Sequence, residues 1–191
     1  ETSFSHSSPE IVWFGCITPS QLNSGKTIFC DGIKLWENLS VTTKKFFLKN
    51  QIKYQLKIIW NNPKPGRNKK EWYIDAPGTS KTILNLEDGT IEFDYCAYAV
   101  NKIKHLDKLA FTNHLLIALN SEPQILSRTT FNEKPIPHNI MNEIKEKSDN
   151  LTFAFNWNKN DLVMIDNKRF MHGREKISVG DNRDIVTVQT L

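Results

Sequence analysis

Asp161-Leu-Val-Met-Ile-Asp-Asn-Lys-Arg-Phe-Met-His-Gly-Arg174, with Arg183 a short way beyond it, is the stretch from which the rest of the chain is read. Leu162 to Ile165 is an apolar run that leaves a turn at Asn158-Lys-Asn-Asp161 and delivers Asp166, Asn167 and then His172 to a strand-to-turn junction. Asp and Asn side chains bond to nearby backbone groups, so Asp166 and Asn167 are expected to fix that turn. Arg183 opens a second run, Ile185-Val-Thr-Val188, whose alternation suits a strand returning beside the first. A histidine and an arginine are then expected on neighbouring strands.

A neutral imidazole on a rigid strand end is a good ligand for ferrous iron, and a nearby guanidinium can take a carboxylate in two parallel hydrogen bonds. A metal ligand beside an acid-binding arginine points to a keto-acid cosubstrate. The run from Asp161 to Arg174 closely resembles the C-terminal iron motif of the taurine dioxygenase-like (TauD/TfdA) family of iron(II)/2-oxoglutarate-dependent oxygenases. By that resemblance His172 is the distal iron ligand and Arg183 binds the far carboxylate of 2-oxoglutarate. The family's pattern also has Arg174 bracing the turn by pairing with an acidic neighbour.

The front of the chain carries the second part of the resemblance. Glu10-Ile-Val-Trp-Phe-Gly-Cys-Ile17 is β-branched and aromatic and reads as a buried strand. A turn follows at Thr18-Pro19-Ser20, and then Gly25-Lys-Thr-Ile-Phe-Cys-Asp-Gly32, a short strand with glycine at each end. This order is similar to the family's first metal region, a His-x-Glu or His-x-Asp followed by a strand and a Gly-x-Thr strand. The resemblance places Glu1 on the iron-binding carboxylate and Thr27 on the threonine that helps hold 2-oxoglutarate. The first histidine of that motif would precede Glu1, so the chain is expected to begin within its metal motif as part of a longer protein. His6 is no substitute, since on an extended segment it points to the other face from Glu1.

Between these ends, Lys34 to Ile58 is read as mostly helical, because Leu35, Leu39, Phe46, Phe47, Leu48, Ile52, Leu56 and Ile59 recur at near-helical spacing. A break near Ser40-Val-Thr-Thr43, with a hydroxyl as cap, divides it into two helices. Trp60 to Lys70 is a polar loop with two prolines and a glycine, either a plain surface loop or a lid. Asn85-Leu-Glu-Asp-Gly-Thr90 is a turn, and Ile91 to Val100 alternates as a strand. Lys108-Leu-Ala-Phe-Thr-Asn-His-Leu-Leu116 resembles the family's aromatic-x-Asn segment, which makes Asn113 a candidate substrate contact, with a structural Asn as the alternative; His114 reads as structural or exposed. Pro137 to Lys147 is an amphipathic helix with Ile140, Met141 and Ile144 inward, and Leu151 to Trp157 is a strand.

The chain has 191 residues, of which 39% are hydrophobic, enough for a real core, and 1–191 is expected to form a single domain. The net charge of +4 is mild and the lysines are scattered, which argues against a nucleic-acid interface. Cys16, Cys30 and Cys96 have no paired metal or redox spacing and read as free thiols of a reducing, cytoplasmic protein. No run is long and apolar enough for a membrane span.

The resemblance implies a mainly β fold with flanking helices, a double-stranded β-helix of the jelly-roll, cupin-like kind lacking its N-terminal portion. It implies Fe(II) as cofactor, 2-oxoglutarate as cosubstrate, and no catalytic residue beyond their ligands. The expected reaction is hydroxylation or desaturation of a small molecule, such as an amino acid or an intermediate of specialised metabolism, free or carrier-bound, with release of succinate and CO2. In halogenating relatives a small residue replaces the carboxylate to admit chloride, so Glu1 argues against halogenation. The rival readings are a catalytically inactive β-helix binding domain of the same fold and a nucleic-acid module.

Overall fold

A computed structural model describes residues 9–59, 79–85, 90–116, 125–130 and 132–190. The chain starts with β1 (Ile11–Thr18) and β2 (Thr27–Asp31), then α1 (Gly32–Asn38) and α2 (Val41–Lys49). β3 (Ile52–Ile59), β4 (Thr79–Asn85), β5 (Thr90–Ala97), β6 (Val100–Ile103), β7 (Lys108–Phe111) and β8 (Ile125–Thr130) follow. The C-terminal part is α3 (His138–Leu151), β9 (Phe153–Phe155), β10 (Leu162–Asp166), β11 (Phe170–Arg174) and β12 (Asp184–Thr190).

Two antiparallel three-stranded sheets, β10-β1-β12 and β11-β2-β9, form the part that carries the site. Side chains alternate along each strand, so Val12, Phe14 and Cys16 of β1 point to one buried face. Phe14 meets Phe29 of β2 edge-to-face, ring centroids 5.7 Å apart. Val12, Phe14, Phe29 and Ile165 make a core between the sheets, against which Val163, Phe155, Trp157 and Ile185 pack. Burying such a side chain contributes about 1.5–3 kcal/mol, so this interior holds the two sheets together.

The strand neighbours correct the reading from sequence. β1 lies between β10 and β12, and His172 is on β11, in the opposite sheet from the strand that follows Arg183. The reason is that the chain changes sheet at each turn from β10 through β11 to β12, as a jelly-roll path requires. The facing of β12 also differs from a polar-out pattern. Thr187 and Gln189 stand opposite Phe14 and Val12 on the inner side, while Val186 and Val188 are exposed.

The β10–β11 turn is fixed as expected, with Asp166 Oδ1 accepting from Lys168 N at 2.9 Å and Arg169 N at 3.2 Å. Asn167 Nδ2 donates to Pro9 O at 2.9 Å. Beneath the turn, Gly32 donates its N–H to Arg169 O at 2.8 Å, and a Cβ on Gly32 would sit 2.4 Å from Phe111 O. Only glycine permits that approach.

A second layer is inserted between β2 and β9. Asp31 caps α1 by accepting from Ile33 N and Lys34 N, and Ser40 Oγ caps α2 through Thr43 N. The expected helix break is thus present, but the helix does not extend through Ile58: residues 52–59 are β3, inside a four-stranded antiparallel sheet β4-β5-β3-β8. Ile52, Tyr54 and Leu56 are buried while Lys53 reaches Asp94 and Glu133. A period of two overrides the helical spacing. The strands β4 and β5 pair with Asn85 opposite Thr90, while the Trp60–Lys70 loop lies outside the described residues. α1, α2 and α3 close a core of Leu35, Trp36, Phe47, Ile52, Tyr54 and Ile144.

Candidate active site

His172 sits in the middle of β11, opposite Phe29 of β2, and its imidazole packs edge-on to Phe14 of the other sheet with centroids 5.2 Å apart. It lines a cavity of about 710 Å³ whose other walls include Phe29, Met171, Tyr54, Tyr95 and Asn113. That volume suits a small-molecule ligand. Pro9 is also on its wall. Glu1 and His6 themselves lie outside the described residues.

Thr27 is at the start of β2 and stands opposite Arg174, one alternation along from the Phe29–His172 pair. Thr27 and His172 therefore share the inner face of one sheet, roughly 8 Å apart by strand rise and spacing. Thr27 is buried, and its Oγ1 accepts two hydrogen bonds, from Arg183 Nη2 and from Trp157 Nε1, both at 2.9 Å. Arg183 reaches this threonine from the opposite sheet. The resemblance-based pairing of Thr27 and Arg183 is thus brought together in space.

Among the described residues Arg183 makes no ion pair. Burial pushes its pKa down, and the positive charge of Arg174 pushes the same way. A partly desolvated guanidinium beside a second one is an electrostatic demand for an anion, and a carboxylate answers it with two parallel bonds. Arg174 departs from expectation: it forms no ion pair among the described residues. Ion pairs at the turn are made instead by Lys168 with Glu10 and by Arg169 with Asp31, the latter at 2.5 Å through Nη2 and 3.2 Å through Nε. Burial raises the Asp31 pKa, but Arg169 and the two capping amides outweigh it and the net shift is downward.

Asn113 lies on the cavity wall with its orientation locked. Its Oδ1 accepts from Leu115 N at 3.1 Å and from the Tyr54 hydroxyl. A backbone N–H can only donate, so the atom facing it must be the amide oxygen, and Nδ2 has no further partner among the described residues. Tyr54 is fully buried, which pushes its phenol pKa far up and keeps it a hydrogen-bond donor. Sequence reasoning misses Tyr54, Trp157 and Asp181. Of these only Trp157 carries a signal, because a buried indole N–H seeks an acceptor.

Among the described residues no three His, Cys, Asp or Glu side chains gather as a metal set, and His172 is the one expected ligand in view. No described helix is long and apolar enough to cross a membrane.

Comparisons with known proteins bear on the fold and the family. A 3-((Z)-2-isocyanoethenyl)-1H-indole synthase from Fischerella ambigua is 21% identical over 99% of this chain, which spans 60% of that protein. PvcB from Pseudomonas aeruginosa superposes with a TM-score of 0.60 at 12% identity, over 100% of this chain and 54% of its own. An asparagine oxygenase, solved with Fe(II), 2S,3S-3-hydroxyasparagine and succinate, superposes with a TM-score of 0.61 at 13% identity, over 100% of this chain and 48% of its own. The chain thus covers less than two thirds of the length of each of these proteins. The family described as Taurine catabolism dioxygenase TauD, TfdA matches residues 1–189, and the chain belongs to it.

Proposed function

We propose that this chain supplies the catalytic β-helix of an iron(II)/2-oxoglutarate-dependent oxygenase that hydroxylates or desaturates a small molecule. The observation that carries the reading is Arg183: a guanidinium that crosses between the sheets to Thr27, without a carboxylate partner among the described residues. The two facing sheets are read as the halves of a double-stranded β-helix. His172 and Glu1 are proposed as iron ligands, Thr27 and Arg183 as the subsite for the far carboxylate of 2-oxoglutarate, and Asn113 as a substrate contact.

Iron held there would supply dioxygen chemistry, in which one oxygen atom goes into succinate as the keto acid loses CO2 and the other into the hydroxylated substrate, or into water where the substrate is desaturated. The residues of the chain bind and orient. Phe14 packs edge-on against the His172 ring, Thr27 holds the Arg183 guanidinium and is itself held by Trp157, and Phe29 helps wall the space. The locked amide of Asn113 offers its N–H groups to an acceptor on the substrate. Amino acids and intermediates of specialised metabolism, free or carrier-bound, are the substrate class we favour. Support comes from the cavity size, and from relatives described as an asparagine oxygenase and as an oxygenase of an isonitrile synthetic pathway.

The test is direct binding followed by turnover. Calorimetry should show 2-oxoglutarate binding that depends on a divalent metal, His172→Ala should abolish metal binding, and Arg183→Ala should raise the 2-oxoglutarate concentration needed. Unchanged cosubstrate dependence in Arg183→Ala would contradict the assignment.

A further inference from the structure

The Asp181 carboxylate accepts hydrogen bonds from one distant loop. Ser20 Oγ and Ser24 Oγ donate to it at 2.5 Å, Gln21 N at 3.0 Å and Leu22 N at 3.4 Å. The same two segments are joined again where Ser178 N donates to Ser24 Oγ at 2.9 Å, Gly25 N to Lys176 O at 3.1 Å and Glu175 N to Lys26 O at 2.9 Å. One segment runs directly into Thr27, and the other into Arg183. Between them is a polar cavity of about 230 Å³ lined by Ser20, Ser24, Lys26, Trp157 and Arg183.

The fit is close. Gly25 has φ of +61°, and a Cβ there would lie 2.6 Å from Ile177 Cγ1 and 3.2 Å from Arg183 Cδ. The arginine stem therefore passes over a bare backbone. Asp181 does not pair with Arg183, although it stands two residues away; its lone pairs are taken by the loop.

We infer that Asp181 is a positioning residue for the keto-acid subsite. It pins the Arg183 segment to the Thr27 segment, and because its oxygens accept from the serine and amide donors it makes no ion pair with the guanidinium, on which its charge acts only from a distance. These hydrogen bonds, those of Ser20 and Ser24 foremost, also hold the Asp181 carboxyl down to about 2, so it stays an acceptor throughout the working pH range. The inference rests on the reading of Thr27 and Arg183 as that subsite.

Electrostatics and positioning predict opposite signs. Removing a negative charge near Arg183 would tighten anion binding, whereas releasing the clamp weakens it. The experiment is calorimetric titration of N-oxalylglycine, a 2-oxoglutarate analogue, into the manganese(II)-loaded protein, with thermal melting to confirm that each variant is folded. Asp181→Ala, and separately Ser20→Ala with Ser24→Ala, should each raise Kd about tenfold with manganese affinity unchanged. Asp181→Asn, whose amide can still bridge the two serine oxygens, should fall between wild type and Asp181→Ala. Unchanged or tighter binding in Asp181→Ala, or an effect there that the serine double variant does not share, overturns the inference. If Arg183→Ala binds as wild type does, the subsite reading itself fails, and the inference falls with it.

Discussion

The His172 imidazole and the Phe14 ring meet edge-to-face at 74°, centroids 5.2 Å apart, from opposite sheets. An imidazole held this way has one ring plane, and a metal ligand needs one. Phe14→Ala should destabilise the protein by about 3–5 kcal/mol through the cavity it leaves. Phe14→Leu keeps most of the volume but not the ring edge, and should lower metal affinity with a smaller loss of stability. Chemical unfolding paired with metal titration checks this; equal metal affinity in Phe14→Leu and wild type would show that the ring contact does not orient His172.

Thr27→Val is isosteric but removes the acceptor shared by Arg183 and Trp157. Two half-buried donors then lose their partner, at about 1 kcal/mol. The melting temperature should fall, and 2-oxoglutarate affinity should fall with it, because Arg183 loses its seat. Thr27→Ser, which retains the oxygen, should recover most of the affinity.

Tyr54→Phe deletes one of the two bonds to Asn113 Oδ1. Stability should drop by about 1 kcal/mol, and the Asn113 amide is then held by the Leu115 N–H alone, less firmly than before. The expected kinetic signature is a raised KM for the organic substrate at an unchanged Kd for 2-oxoglutarate. A change in both would show that Tyr54 acts through the sheet and not through Asn113.

Acid should unfold the loop clamp first. The Asp181 carboxyl is held at about 2 against an ordinary 3.8 by Ser20, Ser24 and two amides, and Asp31 is shifted in the same direction. A carboxyl whose pKa is lower folded than unfolded adds stability that is complete above the unfolded value and disappears as pH falls through the folded one. The melting temperature should therefore be insensitive to these two groups above pH about 4 and decline between about 4 and 2. Asp181→Ala should shallow that decline; an identical slope in the variant would rule out the clamp as its source.

Much of the candidate site is legible in the order of the residues alone. His172, Arg183 and Thr27 stand in a motif order, and local chemistry accounts for the turn bonds of Asp166, whereas Asn167 ties the turn to Pro9, distant along the chain. The inserted β3 misleads because Ile52, Leu56 and Ile59 satisfy a helical period. The alternating Lys53, Gln55 and Lys57 satisfy a strand, and only the β4-β5-β3-β8 pairing decides between them. The roles of Trp157 and Asp181 stay hidden because their partners, Thr27 and Ser20, lie far away along the chain.

The order of residues alone carries the strands around the site and the motif positions of His172, Arg183 and Thr27, whose roles are proposed from the family resemblance. Those are local properties, set by side-chain period and turn chemistry. Only the tertiary structure decided that β1 separates β10 from β12, that Val186 and Val188 face outward while Thr187 faces in, and that Arg183 crosses to Thr27. A backbone ladder offers the same hydrogen bonds to any strand, and a strand apolar on both faces does not mark its inner one. Partner and facing are therefore chosen by the packing of the whole interior.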